Sequence, residues 1–386
     1  MTDLIKFKIA STVTNSPFWV AIIVLFFNSK GISVPDAFKL LSFYQISVVL
    51  LEYPTGVIGD YFSHKISISS GFLLSSLGLF ASTLQLHIFF YYLVMVILAL
   101  GTSLVSGSNT ALLHKLSDDF KKDSSSLKTI SMIWMLIALS LGGIIGKHSL
   151  VIPIYLTSIT FLIGFTIMLS IKHSDHNNNS GNVFNKAKEG LLHIKSNRTL
   201  ISILTVNAIV SGVFLSTKWF YNPFFEALNI NISWWGILIS LASLLSIVGV
   251  FVYKKFTSHR IIWYYLTLII LFGLTSLLNS KLSFVSLPAL MVAHLVGGGY
   301  VQTFFEVDIN KHLTDSTRAS VISFGSLLIR LTSSLYIYTT GLILTNFDLS
   351  YLFVFTAILL TVIGLPLVIK LDKQSNLSPA QLSPLH

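Results

Sequence analysis

Twelve stretches of mostly apolar residues follow one another along this chain, and no other feature limits its fold as strongly. A helix rising about 1.5 Å per residue needs roughly 20 such residues to cross a hydrocarbon core of about 30 Å. The stretches run 8–28, 36–59, 66–86, 88–112, 128–146 and 150–171, then 199–225, 232–253, 261–279, 284–309, 319–345 and 350–370. None alternates in polarity, as the strands of a membrane barrel would. The first carries Asn15, Ser16 and Pro17 at mid-span and has no small-residue cleavage site, so it reads as a retained span and not a signal peptide. Only 10% of the 386 residues are charged, and 53% are hydrophobic. A soluble domain carries about 25% charged residues to cover its surface. The exterior of this chain must therefore face lipid, which excludes a cytosolic enzyme, a nucleic-acid-binding domain and a secreted module. The 29 Phe and 14 Tyr suit helix packing in lipid and interfacial belts. With no cysteine there is no disulfide, no thiolate metal site and no cysteine nucleophile.

The basic residues orient the spans. With the N-terminus cytoplasmic, 19 of the 25 Lys and Arg fall inside, among them Lys6, Lys8, Lys65, Lys121, Lys122, Lys172, Lys254, Lys255, Arg260 and Lys373. Outside loops hold Lys30, Lys39, Lys147 and Lys281, and Lys218 and Arg330 lie within spans. That alternation through all twelve runs is the positive-inside pattern, with both termini cytoplasmic. The net charge of +10 is thus a topology signal and not a nucleic-acid patch. Between spans six and seven lies the longest polar stretch. It opens on the His-, Asn- and Ser-rich 173–181 and continues with Phe184, Ala187, Leu191 and Ile194 at helical spacing beside Lys186, Lys188 and Lys195. This reads as a flexible linker followed by an amphipathic helix at the cytoplasmic interface. His173 and His176 have no further ligand at metal spacing. The expected organisation is a six-helix bundle over 1–172, a cytoplasmic linker over 173–198, a second bundle over 199–371 and a cytoplasmic tail over 372–386.

The two halves carry a faint repeat. At one fixed offset Gly101 meets Gly298, Leu116 meets Leu313, Ser117 meets Thr314 and Asp118 meets Asp315, while His114-Lys115 answers Lys311-His312. The sharpest local signal closes span two: Glu52-Tyr53-Pro54-Thr55-Gly56-Val57-Ile58-Gly59-Asp60-Tyr61-Phe62-Ser63-His64-Lys65. Gly56, Asp60 and Lys65 resemble the signature loop of the major facilitator superfamily, with His64 a partial match and Tyr61 and Ser63 departing from it. Glu-x-Pro-Thr-Gly, Ser106–Leu113 and Arg318–Leu327 look like one bacterial branch of that superfamily. Asn109 and Thr110 stand where that branch usually carries acidic residues.

The resemblance implies an all-α integral membrane protein of twelve helices in two pseudo-symmetric bundles, both termini inside, that alternates access to a midplane site. It implies a monomer in the cytoplasmic (inner) membrane, with a small solute, protons and lipid as partners and with no cofactor or metal. Within it Gly56, Asp60 and Lys65 form a conformational gate, Asp60 facing the positive N-terminus of span eleven. Glu306, Asp308 and Arg318 join that gate at the cytoplasmic end, the alternative being an ordinary solvated helix end. Spans one and seven line the cavity in this superfamily, so Asn15, Ser16, Trp19, Asn207 and Ser211 are pocket candidates. Interhelical hydrogen bonds are the competing use for these groups.

Charge inside the hydrocarbon costs several kcal/mol and is a functional candidate by default. Glu52 lies roughly 12 Å and Arg330 roughly 16 Å from the cytoplasmic side at about 1.5 Å per residue. Spans two and eleven face one another in the superfamily, so these two residues are expected to approach, as a coupling pair or as a static packing pair. His294, near the midplane and followed by Gly297-Gly298-Gly299, is a proton-relay or solute contact, or a histidine bonded to a neighbouring carbonyl. Lys218, amid Trp219, Phe220 and Tyr221, either snorkels or lines an outer mouth that favours anions. Ala138, Gly142, Gly143 and Gly146 in span five loosely resemble the antiporter motif of the superfamily without its proline.

No P-loop, HExxH or Ser/His/Asp arrangement is present, so neither an ATP-driven pump nor an enzyme is expected. The expected function is proton-coupled efflux of small amphipathic compounds, drugs or a secreted metabolite such as a siderophore. The alternatives are import of a polar or anionic solute by proton symport, with Arg330, Lys218 and His294 as ligands, and a transporter-like sensor that no longer transports.

Overall fold

A computed structural model describes residues 2–61, 63–172, 190, 192–256, 260–279, 283–313 and 315–375. All regular structure among the described residues is helical. Among the described residues eleven helices are long and apolar enough to cross a membrane, and a twelfth span is broken. Span two is Val34–Tyr61, three His64–Ser82, four Ile88–Leu116, five Phe120–Gly146 and six Ile152–Leu169. Span seven is Arg198–Ala227, eight Ile232–Lys255, nine Ile261–Leu278, ten Ser283–Lys311, eleven Asp315–Asn346 and twelve Leu349–Lys373. All the apolar runs after the first thus become spanning helices. Leu50, Trp263, Phe284 and Val362 lie outward at 69, 64, 72 and 66% exposure. An apolar surface of that extent belongs in lipid.

Span one breaks where its sequence changes character. Its first helix, Asp3–Thr14, stops before Asn15-Ser16-Pro17, and a 3₁₀ turn over Phe18–Ala21 leads to a second helix, Ile23–Ser29, bent by 57° from the first part. Pro17 has no N–H to give and crowds the carbonyl four residues back, that of Val13. The Ser16 hydroxyl donates to that carbonyl instead. Span ten holds a π-helical segment, His294–Val301, and span twelve another, Leu360–Gly364. In both, the first carbonyl takes a hydroxyl from a neighbouring helix: Ser246 Oγ to His294 O at 3.1 Å and Tyr265 Oη to Leu360 O at 3.3 Å. Such hydroxyls reach the hydrogen-bond ladder where the helix widens.

The chain forms two compact units, Met1–Asn182 with Lys218–Ser240, and Val183–Thr217 with Leu241–His386. The last third of span seven and the start of span eight therefore belong with the first unit. Asn222 fixes them there: its Oδ1 accepts the Val24 N–H at 3.0 Å and its Nδ2 donates to Val20 O at 3.3 Å. Val24 opens the second helix of span one, whose own cap residue supplies no side-chain hydrogen bond. Asn222 thus satisfies one of that helix's orphan donors from another span. Gly143 and Gly236 let spans five and eight touch at backbone distance; a Cβ at Gly236 would lie 1.9 Å from Leu139 O. A core of Phe7, Ala10, Ile68, Phe72, Leu112, Leu113, Leu127 and Met168 fills the first unit.

In the second unit Phe214 packs on Phe272 at 5.9 Å, and Gly249 of span eight meets Gly299 of span ten. Gly56 of span two meets Gly107 of span four in the first unit, so each half has a glycine pair at the matching helix contact. Most of the 173–198 linker, including Phe184, Ala187 and Leu191, lies outside the described residues. Its end packs on the second unit, where Ile194 is buried and His193 Nε2 lies 2.9 Å from His312 O. The last helix runs on to Ser375, and the tail beyond it lies outside the described residues.

Candidate functional site

Three apolar spans of the first unit each carry a polar stripe at helical spacing, and the fold brings the stripes together. Span one contributes Ser11, Thr14 and Asn15; span four Thr102, Ser106, Asn109 and Thr110; span five Ser124, Lys128 and Ser131. Residues three, four and seven apart share one helix face, which is why each set points the same way. With Phe72 and Ser75 of span three and Phe161 of span six they enclose a cavity of about 420 Å³. A smaller cavity of about 110 Å³ adjoins it and shares Ser75, Thr102 and Phe161 as walls. Its remaining lining is almost wholly apolar, including Trp19, Phe27, Leu79, Met95 and Leu98.

Glu52 sits against the larger cavity. Ser106 Oγ donates to its Oε1 at 3.1 Å, and Ser106 lines the cavity. Thr55, one turn on, donates its hydroxyl back to Leu51 O at 2.8 Å and to Glu52 O at 3.2 Å. Asn15 lines the cavity with its amide nitrogen donated to Ser131 O at 3.0 Å. Asn109 receives the Ser11 hydroxyl at 3.4 Å.

The other candidates fall elsewhere. Ser16 is buried outside the cavity lining; it accepts Trp134 Nε1 at 2.6 Å, and its carbonyl takes the Thr157 hydroxyl at 3.1 Å. Trp19 lines the smaller cavity and packs on Trp219 at 5.6 Å. Lys218 holds its ammonium 4.5 Å from the centre of that same Trp219 ring. In the second unit Asn207 is buried and accepts the Ser211 hydroxyl at 2.9 Å. His294 is buried at the head of the π segment. Its Nδ1–H donates to Leu290 O at 3.0 Å, its Nε2 lies 3.0 Å from the Thr217 hydroxyl, and Phe214 packs edge-on at 5.2 Å. Arg330 is half-buried in span eleven and belongs to the second unit, Glu52 to the first.

Of the gate candidates, Gly56 lies against Gly107, and Lys65 donates to the carbonyl of Ile171 just past span six. That places a cation on the negative end of a helix. The Asp60 side chain lies outside the described residues. Glu306 and Arg318 are exposed, and Asp308 is half-buried with Lys311 Nζ 3.3 Å away. No group of three or more His, Asp or Glu that could hold a metal occurs among the described residues.

Sequence reasoning missed most of the cavity: Ser11, Thr14, Thr102, Ser124, Lys128 and Ser131 were not singled out. Their signal was a polar stripe with helical period inside an apolar run, which marks a helix face turned away from lipid.

Comparison with known proteins agrees with this architecture. The profile of the Major Facilitator Superfamily matches residues 9–335. The chain belongs to the Major Facilitator Superfamily. It is 24% identical over 371 residues to the uncharacterised MFS-type transporter YxaM of Bacillus subtilis (strain 168), covering 90% of this chain and 89% of that one. Among solved structures it resembles the nucleoside transporter NupG with a TM-score of 0.79 at 14% identity, over 98% of this chain and 100% of that one. It also resembles a bacterial homologue of the human lysosomal transporter Spinster in an inward-facing, unoccupied conformation, with a TM-score of 0.73 at 14% identity and 98% of both chains covered. At these identities the structural likeness speaks for the fold. The protein is a multi-pass membrane transporter, and its family is not a class of enzymes.

Proposed function

We propose that this protein exports small amphipathic compounds in exchange for protons, by alternating access, as a monomer in the cytoplasmic membrane with both termini inside. The observation that carries the reading is the carboxylate of Glu52 bonded to a hydroxyl of the cavity wall. Protonation there changes the charge beside the solute, so proton and solute compete for one site. Arg330 is the proposed partner of Glu52 in the proton-free state, and His294 a second candidate carrier. Glycines and charges at the cytoplasmic ends, Gly56, Asp60, Lys65, Glu306, Asp308 and Arg318, are the proposed gate. The amphipathic solute class is supported by a cavity with a polar and an apolar compartment.

Import of a polar or anionic solute, with Arg330, Lys218 and His294 as ligands, is less well supported. Lys218 is engaged with Trp219, and His294 with Leu290 and Thr217. The test compares metabolites inside and outside cells with and without the protein, before and after a protonophore. Depletion inside with enrichment outside, abolished by the protonophore, is the expected result. Accumulation inside would replace export by import. No change in any compound, with the protein present in the membrane, would favour a sensor that does not transport.

A further inference from the structure

The two adjoining cavities of the first unit differ in chemistry, and one residue on their shared wall has an unusual position. Ser75 is only 4% exposed, it lines both cavities, and its hydroxyl has no hydrogen-bond partner among the described residues. Its oxygen opens onto the cavities, where water or a solute can meet it. On the polar side, Asn15 has committed its amide nitrogen to Ser131 O, which leaves Oδ1 as an acceptor with no partner. Asn109 has committed its oxygen to Ser11, which leaves its amide N–H pair as donors. The wall therefore offers an acceptor, donors and a hydroxyl that can be either.

That mixture selects against ions. A carboxylate only accepts and cannot serve Asn15 Oδ1; an ammonium only donates and cannot serve the Asn109 N–H groups. An amide or an alcohol does both. Two charges of opposite sign bear on the cavity. Lys128 lines it and is exposed, so its charge is largely screened by water. Glu52 sits against it with Ser106 Oγ on its Oε1, so neither sign dominates. Beyond Ser75 the lining turns to Trp19, Phe27, Leu79 and Met95, which suits a flat apolar group.

We propose that the solute is an uncharged amphiphile, its amide or hydroxyl end held by Asn15 and Asn109 and its apolar ring lodged past Ser75 between the two compartments. This deepens the transport reading above and rests on it for the role of the cavity.

Three compounds of one skeleton test it: N-acetyltryptophanamide (neutral), N-acetyltryptophan (anion) and tryptophanamide (cation). Their binding to the purified full chain in lipid nanodiscs is measured by equilibrium dialysis. The neutral compound is expected to bind at least tenfold more tightly than either ion. Asn109→Asp, which replaces donors by a negative acceptor, is expected to move the preference to the cation by at least tenfold, a gain that an unfolded variant could not produce. Equal or tighter binding of either ion to the natural chain would overturn the proposal. The anion is the compound that a dominant Lys128 would favour. Absence of binding by all three at millimolar concentration would overturn it too. Flux into proteoliposomes under a pH gradient separates the two readings. A neutral compound that binds but is never carried defeats the transport reading and leaves the solute class standing. An ion that is carried while the neutral compound is not defeats the solute class alone.

Discussion

Single residues decide where this protein can bind and where it can only pack. Glu52 and Ser16 were both polar candidates in apolar runs, yet they do different work. Glu52 meets a hydroxyl of the cavity wall, while Ser16 repairs the helix break before Pro17 and receives Trp134. Spacing alone could not separate them, because a buried hydroxyl looks the same in sequence whether its partner is a neighbouring carbonyl or a solute. Under the proposed mechanism, Glu52→Gln should abolish pH-gradient-driven flux in proteoliposomes and remove the pH dependence of solute binding; a variant that keeps both would take Glu52 out of the coupling. Gly249 is a packing position. A Cβ there would lie 2.0 Å from Leu295 O and 2.8 Å from Gly299 Cα, both backbone atoms that no rotamer change can move. Gly249→Ala should destabilise the protein by at least about 1–3 kcal/mol, read as a lowered thermal midpoint in detergent. Gly273, with open space around it, should accept alanine without such a loss.

At the scale of elements, helix identity was legible and helix irregularity was not. Eleven of the apolar runs each became one helix long enough to span, and the first became two helices joined by a 3₁₀ turn. The break in span one was foreshadowed by Asn15, Ser16 and Pro17, but its 57° bend depends on a partner 198 residues away. Without Asn222, the Val24 N–H at the start of the second helix would be buried and unpaired. Asn222→Ala should therefore cost about 1–3 kcal/mol of stability. Asn222→Asp, which keeps an acceptor, should recover part of it. Equal thermal midpoints for the alanine variant and the natural chain would show that the N–H finds another acceptor. The π segment of span ten was expected only as a glycine-rich place to bend or pack. At its first residue Ser246, on another helix, donates its hydroxyl to the His294 carbonyl. No local pattern within 284–309 could specify that.

For the whole molecule, the absence of cysteine offers a direct test of the proposed topology. Single cysteines can be introduced without background. A cysteine at Lys147 should react with a membrane-impermeant maleimide in intact cells, and one at Lys121 only after permeabilisation. The reverse result would invert the chain in the membrane. The composition and the apolar runs sufficed to place this protein in lipid and to mark out its helices. These properties are sums over local segments, and the cost of exposing polar backbone to hydrocarbon leaves helices as the solution for such runs. The signature residues of the span two to three loop pointed further, to the superfamily. Tertiary structure alone decided that Lys218–Ser240 joins the first unit, that three polar stripes meet around one cavity, and that Ser75 stands unpartnered at its inner wall. Those are relations between helices far apart in the chain. A helix face shows in sequence, but the face opposite it is chosen by packing, where shape and hydrogen-bond satisfaction across several spans act at once.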